Sequence, residues 1–226
     1  WDSTASGDSS TAIGNNSTAS GDYSTAMGLS TTASVNYSTA IGLQTTASGA
    51  ASTAMGANTT ASGDYSTAMG QNALATGNDS FAVHGEAALE KTIAIGVLSQ
   101  ALGAESMAFG SSAIAGATAG NSVAIGNGSN TSGGGSSAFG YGATATSTFA
   151  AALGANSTAS GDYSVAAGMN SVASLNKSVS IGFGVVANRE STVHVSNLSI
   201  LSIPTASTGL PSGAVWSNAG VLNIVP

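Results

Sequence analysis

No cysteine occurs in the chain, so neither disulfide stapling nor a thiolate metal site contributes to it. Basic residues are nearly absent: Lys91, Lys177 and Arg189 are the three, set against ten acidic residues and a formal net charge of −7. A nucleic-acid partner needs clustered Lys and Arg to displace phosphate counterions, and three scattered cations exclude one. So few basic residues also leave few trypsin-type cleavage points, which suits an extracellular fibre. No run reaches the ~18 apolar residues of a membrane span, and no basic-then-apolar signal opens the chain. Contact of this segment with a membrane is not expected. The chain starts at Trp1 rather than methionine, which reads as a piece of a longer polypeptide with its anchor and export signal elsewhere. Only 5% of residues are aromatic and 6% charged. Ala, Ser, Thr and Gly cannot build a thick core, so burial must come from thin stacked layers or from other chains.

What is present is a period. Ser-x-Ala-apolar-Gly, as in Ser24-Thr25-Ala26-Met27-Gly28, ends on a glycine at Gly14, Gly28, Gly42, Gly56 and Gly70, and later at Gly96, Gly110, Gly126, Gly140, Gly154, Gly168 and Gly182. Spacing is fourteen residues except at two places: His84 to Gly96 is two short, and Gly110 to Gly126 two long. Both breaks are expected to be loops. His84 stands where a glycine is expected, giving thirteen copies. A second anchor keeps step at Ala19, Ala33, Ala47, Ala61 and Ala75. Strict periodicity of this kind separates a solenoid from a flexible Gly/Ser linker.

Within a copy, alternation places Ser24, Ala26 and Gly28 on one face and Thr25 and Met27 on the other. Residues 24–28 read as one short strand and 29–34 as a second, with turn chemistry at Gly21-Asp22-Tyr23. Two strands and two turns make one coil. Thirteen coils stacked in parallel at ~4.8 Å form a rod of roughly 60 Å. Such a coil encloses little space, so the small face is expected inside. The glycines are explained by positive φ or close backbone approach. The larger face reads Ile13, Met27, Ile41, Met55, Met69, Val83, Ile95, Phe109, Ile125, Phe139, Leu153, Ala167 and Ile181. An apolar stripe of that length calls for a partner, most simply copies of the chain sharing an axis, as in a homotrimer.

Asn121-Ser122-Val123-Ala124-Ile125-Gly126, Thr92-Ile93-Ala94-Ile95-Gly96 and Ser178-Val179-Ser180-Ile181-Gly182 resemble the head repeat of YadA-like trimeric autotransporter adhesins. The resemblance spans residues 1–188. It implies a left-handed parallel β-roll in each of three chains, all-β throughout, and a head that attaches to host surfaces or matrix proteins. After Ala187 the period fails, and residues 189–226 read as a separate β-hairpin module: a strand-like piece over Leu198–Ile203, then Ala214–Trp216 and Val221–Val225 joined through Ser217-Asn218-Ala219-Gly220. Its Leu210-Pro211-Ser212-Gly213-Ala214-Val215-Trp216 run resembles a module of phage tail-fibre proteins.

Nothing assembles a catalytic pair, and neither enzyme nor cofactor is expected. His84 and His194 are far apart in repeat order and read as tolerated at modified turns or buried near a shared axis. Asp8, Asp22, Asp64 and Asp162, with Asn36 and Asn78, hold one turn column, where Asx side chains cap backbone amides. A calcium ladder would need a nine-residue period. Tyr23, Tyr37, Tyr65 and Tyr163 follow one place on, covering coil edges or forming a contact row for carbohydrate or protein. Glu86, Glu90 and Lys91 fall in the short copy and read as a protruding surface loop, a second candidate contact. Thr131–Ser136 is glycine-rich but has no lysine to complete a phosphate loop. The reading is thus a non-enzymatic, extracellular, homotrimeric fibre segment that binds a cell-surface glycan or protein receptor. Residues 198–225 put a virion tail fibre first as carrier; the repeats favour the alternative, a bacterial surface adhesin. An ice-binding solenoid is the remote alternative, resting on the Thr11, Thr25, Thr39, Thr53 and Thr67 column, which ends at Phe81.

Overall fold

The computed structural model describes residues 2–116, 120–196, 203–206, 208–218 and 221–225. Two compact units divide the chain after Val195. The first is a parallel β-solenoid whose strands fall into two fourteen-stranded sheets, each built from alternate strands of the chain. The short sheet takes one two-residue strand from every coil, Thr18–Ala19 being typical, and the long sheet takes a strand of three to five, such as Thr25–Leu29. Each strand pairs only with its counterpart one coil before and one coil after, in register: Thr25 with Thr39, Ala26 with Ala40, Met27 with Ile41. Thirteen steps of ~4.8 Å give the solenoid a length of about 62 Å.

The coil count differs from the sequence reading. Val193–Val195 pairs with Val179–Ile181, so a fourteenth coil lies beyond residue 188 and the boundary moves from 188 to Val195. The last coil lacks its closing glycine, which is why counting glycines stopped one coil early. In the alanine column of the long sheet, His194 is the register partner of the fully buried Ser180. It is half-buried, and Thr192 Oγ1 lies 2.9 Å from its Nε2. A bulky, bonded side chain thus ends a column that is otherwise alanine or serine.

The interior is made of the small face. Ala26, Ala40, Ala54 and Ala68 in the long sheet, and Ala19, Ala33, Ala47 and Ala61 in the short one, are fully buried. Each contributes one methyl, about 0.8 kcal/mol of transfer free energy; the backbone ladders therefore carry much of the order. Buried Ser and Thr columns start the strands: Ser17, Ser24, Thr31, Ser38 and Thr45 are at most 1% exposed. In many coils the hydroxyl closes the preceding turn, as where Ser99 Oγ donates to the Gly96 carbonyl at 2.8 Å and Ser136 Oγ to that of Gly133 at 2.6 Å.

The backbone shows a division that the fourteen-residue count conceals. Positive φ recurs every seven residues through Ser9, Asn16, Tyr23, Ser30, Tyr37, Gln44 and Ala51, all at φ between 52° and 62°. Both turns of a coil are therefore the same device, a left-handed residue followed by an inward small residue, most often Ser or Thr, and a typical coil is two copies of Ser-x-Ala-x-x-x-(left-handed). Gly28 shows why its own column cannot carry a side chain: φ is 133°, and a Cβ would lie 1.9 Å from the Gly42 carbonyl oxygen.

The short period break differs from expectation. Strand Phe81–Val83 is followed by His84, Gly85 and at once by strand Glu86–Ala87, so the short copy is a tightened turn with no protruding loop. His84 follows the strand as the glycines do, but with φ 54°, the left-handed value of the second turn residue. Its ring fills space that Gly70 vacates, since a Cβ on Gly70 would lie 2.6 Å from His84 Nε2. The long break falls within residues 116–122, of which 117–119 lie outside the described residues. Register is kept across it, Met107 pairing with Val123 and Ile114 with Asn130.

The second unit, from Ser196 onward, contains an antiparallel hairpin of Val215–Asn218 and Val221–Ile224, with Val215 opposite Ile224. The expected hairpin is present with a first strand that runs two residues further, to Asn218. The strand expected over 198–203 lies outside the described residues except for Ile203.

Candidate functional site

Three surface features follow from this coil. The first is the outward side of the long sheet. Met27 and Met55 are 37% exposed and Phe109 49%, and Ile13, Met69, Phe139, Leu153 and Ile181 are exposed as well. Ile41, Val83, Ile95, Ile125 and Ala167 are half-buried in the same row. The register brings these side chains into one line, Met27 to Ile41 to Met55 to Met69 to Val83. Such a line uncovered in water is costly, and it marks a face made to be covered.

The second feature is the turn that joins the short sheet to the long one. Its tip carries an Asx residue and then a left-handed residue. Each Asx side chain reaches back one coil: Asp22 Oδ1 accepts the Asp8 N–H at 3.0 Å, Asn36 Oδ1 that of Asp22 at 3.0 Å, Asp64 Oδ1 that of Ala50 at 2.8 Å, and Asp162 Oδ1 that of Thr148 at 3.2 Å. The column is a hydrogen-bond ladder between coils, which explains why Asn and Asp interchange in it. Among the described residues, no group of three or more His, Asp or Glu is arranged to hold a metal ion.

Beside the Asx ladder stands the aromatic row. Tyr23, Tyr37, Tyr65 and Tyr163 are 57–68% exposed, each at positive φ. Left-handed φ is uncommon for a bulky residue, so these rings are held outward by the turn rather than drawn there by packing. Tyr23 and Tyr37 stack with centroids 5.3 Å apart and planes within 4°. Phe149 joins the row, stacking on Tyr163 at 5.5 Å; its spacing of fourteen from Tyr163 is the sequence signal for it. Further along the same column Lys91 lies 3.2 Å from Glu90 and 3.8 Å from Glu105. The hydrogen bond and charge of Glu90, then the charge of Glu105, raise the Lys91 pKa above the ordinary lysine value. Glu90 and Lys91 are thus part of a turn column rather than a loop.

The third feature is a cleft of about 580 Å³ at the tightened turn, lined by Gln71, Leu74, His84, Glu86, Leu98 and Gln100 among others. The two missing residues recess this turn between its neighbours. His84 Nδ1 accepts the Gln71 N–H at 3.2 Å, and Gln100 Nε2 donates to Glu86 Oε2 at 2.9 Å. Glu86 sits on a short-sheet strand, not in a loop. Sequence reasoning gave the shortened copy but not the cleft, because a deletion in a turn looks the same as one in a loop.

Threonines line both sheets on separate faces. Thr11, Thr25, Thr39, Thr53 and Thr67 stand on the long sheet, and Thr4, Thr18, Thr32, Thr46 and Thr60 on the short one. They form single columns rather than paired ranks.

Comparison with known proteins follows the same geometry. The family model of the YadA head domain repeat, which spans two copies, matches residues 5–31, 19–45, 33–59, 61–83, 90–113, 117–143, 145–171 and 159–184. The uncovered residues include 84–89, at the tightened turn, and 114–116, next to the lengthened spacing. Among curated proteins none matches the chain. Among solved structures, the collagen-binding domain of the Yersinia adhesin YadA is similar, with 24% identity over 90% of this chain and 83% of that one, at a TM-score of 0.36. The repeat matches extend over well more than half of the 226 residues and fall coil by coil on the solenoid, and the chain therefore belongs to the YadA head-repeat family.

Proposed function

We propose that this chain is the head segment of a homotrimeric adhesin displayed on a bacterial cell surface, where it binds a glycan or protein of a host cell or matrix. The observation that carries the reading is the exposed apolar row from Ile13 to Ile181. A rigid rod with one committed apolar face suits an assembly in which copies cover each other's rows and leave the turns outward. Membership of the head-repeat family supports a surface-exposed, extracellular place for it. It also favours the bacterial carrier over the virion tail fibre, which rests on residues 198–225 alone.

The test has two parts. Sedimentation or native mass measurement should find three copies per particle; a stable monomer would remove the shared-axis argument. Particles coated with the protein should then adhere to host cells or immobilised matrix proteins more than particles coated with an unrelated protein. Equal adhesion would sink the adhesive role.

A further inference from the structure

The aromatic row has a gap with a definite width. Four successive coils present Tyr23, Tyr37, Ala51 and Tyr65 at the left-handed position, with φ between 52° and 62° throughout. The long-sheet strands behind them are in unbroken register, Thr25 to Thr39 to Thr53 to Thr67. One coil step puts the rings of Tyr23 and Tyr37 5.3 Å apart and nearly parallel. Two steps, from Tyr37 to Tyr65, therefore separate equivalent rings by about 10 Å, twice the strand spacing of ~4.8 Å. The coil between them lacks both of the larger tip residues: Ala50 stands in the Asx column and Ala51 in the aromatic one. Among the described residues, aromatic, small, aromatic in that order occurs here alone in this column. The floor is thus two methyl groups, and the walls are Asn36-Tyr37 on one side and Asp64-Tyr65 on the other.

A space two coil steps wide between flat rings holds one further ring, stacked at about 5 Å from each wall, within the normal range for ring pairs. The rim selects which kind. Asn36 and Asp64 are exposed, and each uses its Oδ1 on a backbone amide of the preceding coil. That leaves the Asn36 backbone N–H, which meets Ala50 where other coils offer an Asx oxygen, as donor and the second Asp64 oxygen as acceptor at the edges of the slot. An apolar peptide ring offers these groups no hydrogen bond in place of water. A pyranose with all its substituents equatorial satisfies both demands: axial C–H groups cover both faces and meet the two tyrosines, while its hydroxyls radiate toward the rim. An axial hydroxyl would press on one wall.

We propose that the slot between Tyr37 and Tyr65, floored by Ala50 and Ala51, is a binding site for an all-equatorial pyranoside of the β-gluco type. The site rests on the adhesive reading and names the ligand class for it. The test is titration of the assembled protein with methyl β-D-glucopyranoside and, separately, methyl β-D-galactopyranoside, followed by saturation-transfer NMR. The gluco compound should bind, and the galacto epimer, with its axial 4-hydroxyl, several-fold more weakly. Ala51→Tyr fills the slot with the residue that the column carries elsewhere and should weaken binding at least tenfold; Tyr65→Ala should do the same, and Tyr163→Ala should leave binding unchanged. Circular dichroism and native mass should show each variant folded and assembled. Equal binding of the two epimers, undiminished binding by Ala51→Tyr, or no binding of the gluco compound to the wild type would each overturn the site. Coated particles separate the two levels: if Ala51→Tyr adheres to cells as the wild type does, the slot is wrong and the adhesive reading stands, whereas a wild type that does not adhere ends the adhesive reading whatever the glycosides do.

Discussion

A single residue matters here according to its column. Gly28→Ala places a methyl group 1.9 Å from the next coil's carbonyl at φ 133°, and we expect a loss of about 3 kcal/mol or more in chemical unfolding, from clash and backbone strain together. Gly184→Ala, at φ 65° with nothing within 4 Å, should lose only about 1 kcal/mol, the ordinary left-handed penalty. The buried hydroxyls divide in the same way. Ser136 Oγ donates to the Gly133 carbonyl, whereas Ser66 Oγ is buried without a partner. Ser136→Ala should therefore destabilise by about 1 kcal/mol and Ser66→Ala by close to nothing, because an unpaired hydroxyl gains nothing from burial. Equal losses in the two would contradict this assignment. Such columns were legible in the sequence wherever sterics alone decide: small residues inside, glycine at the close approach. Left-handed φ at Tyr23 or Lys91 was not legible, since neither residue type signals it and only the seven-residue spacing gives it away.

At the scale of a turn, what matters is length. The tightened turn at His84-Gly85 performs the work of four residues in other coils, such as Gly96-Val97-Leu98-Ser99. Inserting Gly-Gln between Val83 and His84 should restore the ordinary turn; we expect thermal unfolding within a few degrees of the wild type and loss of the cleft at Glu86 and Gln100. A large drop in stability would mean that the His84 contact with Gly70 and Gln71 holds the coil closed. Periodicity told where the two residues were missing but could not tell a tight turn from a loop, since that choice depends on whether the flanking strands stay in register. They do: Leu74 pairs with Glu86, and Thr67 with Phe81. The hairpin near the end was legible for the opposite reason, as two alternating strands need only each other.

For the whole molecule, nearest-neighbour pairing means that stability is close to a sum over coils and their interfaces. The apolar row is the exception, because in the proposed assembly other copies would cover it. Ile125→Asp places a charge in the middle of that row and should shift the particle toward monomer in sedimentation, while the far-ultraviolet spectrum keeps its β signature. Assembly unchanged by that substitution would move the interface to another face. The all-β solenoid and its small interior could be read from the period alone; the number of coils could not, because the last one closes with Val193-His194-Val195 instead of the motif.

The fourteen-residue spacing fails at two places, one shorter and one longer by two residues, with five ordinary spacings on one side of the first and five on the other side of the second. A uniform row of apolar side chains is indifferent to sliding: shift one copy by a single coil, and almost every contact finds an equivalent. In the assembly proposed above, the two irregular copies would work as marks on a ruler. Copies laid side by side would match at both marks in only one alignment, so the departures from the repeat would give a repetitive surface the means to be assembled in one way.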